Sequence, residues 1–167
     1  MNPATILLAE DDPNDVILFQ RAMARASLSA YSLKVVRDGE EAISYLGGQA
    51  IHADRHLYPL PALLLLDLKM PRKSGLEVLS WLRKQPQLRH LIVVFLTSSN
   101  SAEDIRFAYE AGANSYLVKP VEFTEMVELI RNVSVYWLEL NQRLPLPDAP
   151  ASSEGGRRSN GISTDPS

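Results

Sequence analysis

The stretch "ILLAEDDPND", residues 6–15, decides how this chain is read. An apolar run stops at Glu10, Asp11 and Asp12, and Pro13 follows at once. Three adjacent carboxylates repel one another, so a strand that ends in them needs a reason. Part of the reason is local. Asp12 followed by proline reads as a helix N-cap and its first residue. The stretch is therefore a strand–helix junction with two acids, Glu10 and Asp11, left over at the strand's tip.

The same alternation repeats outward from this junction. "TILLA" (5–9), "LKVVR" (33–37), "ALLLLD" (62–67), "LIVVFLT" (91–97) and "SYLVK" (115–119) are strand candidates. Most are apolar at both alternating sets of positions, as strands covered on both faces are. Helix starts lie between them. "DGEE" (38–41) and "SGLE" (74–77) fit capping boxes. Ser101 precedes a helix that stops near Gly112, a residue suited to the left-handed turn past a helix end. A last helix begins near Val121, with Val127, Ile130, Val133 (or Ser134) and Trp137 on one face. Five such units predict an α/β fold, a doubly wound five-stranded parallel sheet with five helices on its two faces.

Two segments depart from the pattern. Residues 47–61 form a long polar connection, and 144–167 are rich in Pro, Ser and Gly. The expected division is a domain over 1–143 and a disordered tail over 144–167.

Composition excludes several functions. The chain of 167 residues is 46% apolar and 22% charged, with net charge −3. That charge, without a basic stripe, argues against nucleic acid as a partner. There is no cysteine, hence no disulfide, thiolate metal site or cysteine nucleophile. The pure apolar runs are too short to span a membrane, and no signal peptide is evident. The expectation is a cytoplasmic protein that binds no membrane. His52, His56 and His90 lack metal-ligand spacing and are read as surface residues; Trp81 and Trp137 are read as packing or interface residues.

The ends of the strands carry the chemistry. In such sheets a site forms beyond the carboxyl ends of the strands, at the topological switch point. Glu10 and Asp11 end the first strand, Asp67 the third, Thr97 the fourth and Lys119 the fifth. Acids crowded there are tolerable around a divalent cation, and an all-oxygen donor set suits Mg²⁺ (or Mn²⁺). Asp67 is then a candidate nucleophile that forms an aspartyl phosphate. Lys119 neutralises the phosphoryl group and Thr97 donates a hydrogen bond to it.

"LLAEDD", "LLLLDLKMPRKSG", "FLTSS" and "YLVKP" resemble, in order, the signature blocks of response-regulator receiver domains, over roughly residues 4–137. The resemblance implies a flavodoxin-like, CheY-like fold with strand order 2-1-3-4-5. It implies that Asp67 is the phosphoacceptor and that Glu10 and Asp11 are the acidic pair, with Asp11 a direct metal ligand. It further implies a metal contact from the backbone carbonyl of Lys69, a switch made of Thr97 and Tyr116, and a cis bond before Pro120. The 47–61 connection is longer than usual for the family, and Lys69 and Ser99 occupy positions that influence dephosphorylation.

The expected function is a phosphorelay response regulator: a sensor histidine kinase phosphorylates Asp67, and the output is protein contact. No output domain is evident after the last helix, so a stand-alone receiver without turnover activity is expected. "VYWLELNQRLP" and the long connection are similar to the small response regulators of phytochrome histidine kinases. That points to a homodimer through helix four, strand five and helix five. A receiver for a chemotaxis- or relay-type kinase is the alternative. An aspartyl-nucleophile phosphatase is disfavoured because its second acid would stand where Lys69 does. A flavin carrier is disfavoured because the acids after strand one would repel the cofactor's phosphate.

Overall fold

The computed structural model describes residues 3–147. Strands β1 (Thr5–Ala9), β2 (Ser32–Val36), β3 (Leu63–Leu66), β4 (Val93–Thr97) and β5 (Ser115–Val118) form one parallel sheet ordered β2-β1-β3-β4-β5. Helices α1 (Pro13–Arg25), α2 (Gly39–Gly47), α3 (Gly75–Arg83), α4 (Ala102–Glu110) and α5 (Phe123–Ser134) connect and cover it. The helix count is the one the sequence pattern predicts, and the strand order the one the family resemblance implies.

Strand alternation builds two cores. Leu7, Ala9, Leu64, Leu66, Val93 and Phe95 pack with buried residues of α2, α3 and α4. Ile6, Leu8, Leu63, Leu65, Val94 and Leu96 pack with Val16 and Phe19 of α1 and Val127 and Ile130 of α5. Each buried leucine contributes about 1.5–3 kcal/mol over an exposed one. Both faces of β3 are thus held, and Asp67 at its end is held with them.

The helix starts follow from their caps. Asp12 accepts from the backbone N–H of Asn14 at 2.8 Å. Ser74 and Glu77 complete the expected reciprocal box. At 38–41 the box closes differently: Asp38 accepts from the Glu41 N–H, but the Glu41 carboxylate accepts from Arg37, not from Asp38. Ser101 accepts from the Asp104 N–H, and Gly112, just past α4, adopts φ +98°. Only glycine occupies that region at little cost.

Four expectations are corrected. His52 is buried, not at the surface: its ring packs at a tilt against Tyr45 and edge-to-face against Tyr58, and its Nδ1 lies 3.0 Å from Ser44 Oγ. The burial is produced by the 47–61 connection, which folds back on α2. There the Arg55 guanidinium donates to the carbonyls of Tyr45 and Leu46 at the end of α2, the first of which also accepts from the Gly48 N–H. Second, α5 begins at Phe123 rather than near Val121 and continues as a π-helical turn, Val135–Leu140. Third, Leu138 rather than Trp137 is the buried residue at the end of that face; Ser134 is buried, as one of the two expected alternatives, and half-buried Trp137 still packs against the core. Fourth, no peptide bond among the described residues is cis, so Pro120 follows a trans bond. The two isomers of such a bond differ by only about 0.5–1 kcal/mol, so local packing decides between them.

Leu146, at the start of the Pro-rich segment, packs against the core on the α2–α3 side. The rest of the expected tail, 148–167, lies outside the described residues. Among the described residues no helix is long and apolar enough to cross a membrane.

Candidate functional site

The chain reverses direction across the sheet between β1 and β3, and the acids gather at the carboxyl ends of these two strands. Register fixes their depth. Ala9 pairs with Leu66, and the Asp67 N–H donates to the Ala9 carbonyl at 3.0 Å. Glu10, Asp11 and Asp67 therefore leave adjacent strands at the same level. Carboxylate oxygens of all three lie within 4.8 Å of one another. Glu10 is buried, Asp67 half-buried and Asp11 exposed. That gradient leaves one side of the cluster open to solvent. Three carboxylates this close, one of them open to water, match the oxygen donor set of a Mg²⁺-sized cation.

Lys119 at the end of β5 faces the cluster. Its Nζ lies 3.3 Å from Asp67 Oδ2 and 2.8 Å from Asp15 Oδ2, and it also pairs with Glu10. Burial drives the Glu10 carboxyl up from 4.5 to about 7, with Lys119 and the Asp12 N–H opposing and the Asp67 charge adding. Burial also works to lower Lys119. Its hydrogen bonds to Asp15 and Glu10, with the charges of Asp67 and Glu10, outweigh that and hold the ammonium above its ordinary value. The lysine thus stays cationic and partly cancels the acids' mutual repulsion.

The remaining residues sit one strand further. Leu66 pairs with Phe95, so buried Thr97 lies just beyond the level of Asp67. The Thr97 carbonyl accepts from the Lys119 N–H at 2.8 Å, which links the two strand ends. Tyr116 is half-buried against Phe95, and its hydroxyl donates to the Ser99 carbonyl at 2.9 Å. Burial pushes that hydroxyl's pKa up. Lys69 follows two residues after Asp67 with its side chain exposed, and no hydrogen bond among the described residues occupies its carbonyl.

Residues 6–131 match the family model of the response regulator receiver domain. The chain belongs to that family. It is therefore a phosphorelay signalling domain, and its relatives agree. It is 34% identical over 137 residues to the response regulator Rcp1 of Synechocystis, spanning 82% of this chain and 90% of that one. It is similar to the response regulator RPA3017 in red light signalling of R. palustris, at 41% identity and a TM-score of 0.80, covering 87% and 99% of the two chains. The phosphorylated cyanobacterial phytochrome response regulator RcpA is 32% identical, with a TM-score of 0.78 and coverage of 87% and 99%.

Within this receiver domain the sequence reading missed three contributors. Asp15 reaches Lys119 from the first turn of α1, although acids in a first helical turn are ordinarily there for the helix dipole. Gly75 lies so close to the Asp67 carbonyl that a Cβ would come within 2.2 Å of it. Asp104 accepts a short hydrogen bond from Ser99 Oγ, which fixes the loop that Tyr116 touches. A glycine following a capping serine was the only visible signal for the second. The other two had none, because their partners come from distant strands or from a loop of no fixed shape.

Proposed function

We propose that the Asp67 carboxylate accepts a phosphoryl group from the phosphohistidine of a sensor histidine kinase. The observation that carries this reading is the Lys119 ammonium 3.3 Å from Asp67 Oδ2, facing the cluster of Glu10, Asp11 and Asp67. In the step, a carboxylate oxygen attacks phosphorus. The O–P bond forms as the N–P bond breaks, and the imidazole nitrogen keeps the electron pair. Lys119 neutralises charge on the phosphoryl oxygens, and the Thr97 hydroxyl donates to one of them. Glu10, Asp11, Asp67 and the carbonyl of Lys69 would hold Mg²⁺ or Mn²⁺, which when bound supplies positive charge to the phosphoryl oxygens. A Mn²⁺-bound form of Rcp1 supports this metal assignment.

The output is a population shift. A phosphoryl group on Asp67 draws Thr97 toward it and biases the position of Tyr116, whose hydroxyl now reaches the Ser99 carbonyl. The partner-facing surface is α4, β5 and α5. β5 is an edge strand, and Phe107, Val118 and Phe123 are exposed around it, which supports a homodimer there. Similarity to red-light and phytochrome response regulators supports a phytochrome-type kinase as the donor. We read the chain as a cytoplasmic signalling switch without turnover activity, its receiver spanning 1–143.

Incubation with radiolabelled acetyl phosphate and Mg²⁺ tests the site. Labelling is expected to be acid-stable, base-labile and absent from Asp67→Asn; equal labelling of that variant refutes the assignment. Sedimentation that finds only monomer at high concentration, with and without phosphorylation, refutes the dimer.

A further inference from the structure

An ammonium group has three N–H donors, and in this structure three carboxylates surround that of Lys119. Glu10 and Asp67 belong to the metal-facing cluster; Asp15 does not. Asp15 comes from the first turn of α1. It and Lys119 line a groove of about 360 Å³ between α1 and the β5–α5 connection, bordered by Leu18, Val118 and Val121. Neither Asp11 nor Asp67 is part of that groove's wall. Glu10 lines it as well, so within the groove Lys119 meets one carboxylate of the metal-facing cluster, Glu10, and one outside it, Asp15.

We propose that Asp15 is a positioning residue that holds the Lys119 ammonium on the α1 side, so that Glu10 and Asp67 can turn to the cation while Lys119 stays within reach of a phosphoryl group. The inference rests on the metal reading given above. The physical reason is competition. A cation at the cluster and the Lys119 ammonium draw on the same oxygens of Glu10 and Asp67. A third carboxylate, outside the cluster, gives the ammonium a partner that the metal does not need. Without it, the ammonium has only Glu10 and Asp67, both of which it already touches, and a metal that takes their oxygens leaves it without a partner.

The test uses the full chain and MgCl₂ alone, by calorimetric titration. Asp15→Asn keeps the shape and removes the charge. It is expected to weaken Mg²⁺ binding about three- to tenfold, at the lower end of residues supporting a metal site because Asp15 is a third exposed. Asp15→Glu restores a carboxylate and is expected to recover affinity to within about twofold. Loss of a nearby negative charge weakens cation binding by itself, so two comparisons separate that field effect from positioning. Asp12→Asn removes a charge beside the same cluster without touching Lys119, and is expected to weaken binding less. In a Lys119→Met background, Asp15→Asn is expected to weaken binding only by the field effect, and so less than with Lys119 present, because the ammonium it positions is gone. In acetyl phosphate labelling, the half-saturating Mg²⁺ concentration is expected to rise in Asp15→Asn, and the rate at saturating Mg²⁺ to fall as well, because the ammonium is no longer held within reach of the phosphoryl group.

An unchanged Mg²⁺ affinity in Asp15→Asn overturns the proposal. So does an equal loss in the presence and absence of Lys119. A wild-type chain that takes up no Mg²⁺ overturns the metal reading itself, and this inference with it.

Discussion

Gly75→Ala probes how the fold aims the phosphoacceptor. Gly75 is the first residue of α3, its N–H donates to the Leu68 carbonyl at 2.8 Å, and its Cα faces the backbone of Asp67. An alanine Cβ would meet the Asp67 carbonyl oxygen at 2.2 Å and Phe95 Cε1 at 2.8 Å, against a floor of 3.0 Å for real Cβ contacts. The Asp67 contact must open by the difference, about 0.8 Å. The obstacle is backbone on one side and a buried ring on the other, so no flexible side chain can absorb the change. Overpacking of this kind costs about 1–3 kcal/mol. Alanine regains at most about 1 kcal/mol of helix propensity, and less at a first helical position. The net loss of roughly 1–2 kcal/mol lowers the melting midpoint by several degrees, at about 2–4 °C per kcal/mol for a domain of this size. Displacing a reacting group by close to an ångström lowers rates by up to about a hundredfold, so acetyl phosphate labelling of Asp67 is expected to slow about ten- to a hundredfold. Scanning calorimetry and labelling kinetics read the two effects separately. Wild-type kinetics with a lowered midpoint refute the claim that this glycine places Asp67. Wild-type behaviour in both refutes the close contact as well.

Four other outcomes follow from the site's charges and from the end of α5. Glu10 is pushed up to about 7 when folded, against 4.5 unfolded, so the folded state without metal binds the extra proton. Its contribution is therefore complete below pH 4.5 and is lost as pH rises through 7, on the order of 2–3 kcal/mol, in urea titrations with chelator; a stability that rises over this range contradicts the burial of Glu10. Saturating Mg²⁺ is expected to flatten that slope, because a cation favours the ionised carboxylate. Lys119→Met removes a group that lowers the Glu10 value, so the decline should continue to higher pH in the same titration. The Tyr31 hydroxyl donates to Glu139 at 2.6 Å, a bond that leads in pushing its pKa up to about 12. Tyr31→Phe is expected to cost about 0.5–1 kcal/mol and to speed amide exchange over 135–140.

The sequence by itself determined the alternation of five strands and five helices, most of the helix caps, and the identity of the groups at the strand ends. These features are legible because each is local. A strand covered on both faces must be apolar throughout, a cap must sit within a few residues of the N–H groups it serves, and the end of a parallel strand is where a site can open. Glu10, Asp11, Asp67, Thr97 and Lys119 could all be picked out on that basis. The tertiary structure alone decided how the groups share charge. Asp15 and Lys119 are 104 residues apart, and nothing near either one announces the other. The burial of His52 depends on where the 47–61 connection lands, and the contact of Gly75 with Asp67 depends on how closely α3 approaches the sheet. The π-helical turn after Ser134 is one that periodicity at 3.6 residues does not anticipate. In each case the deciding energy is a contact between segments remote in the chain, and local pattern carries no record of it.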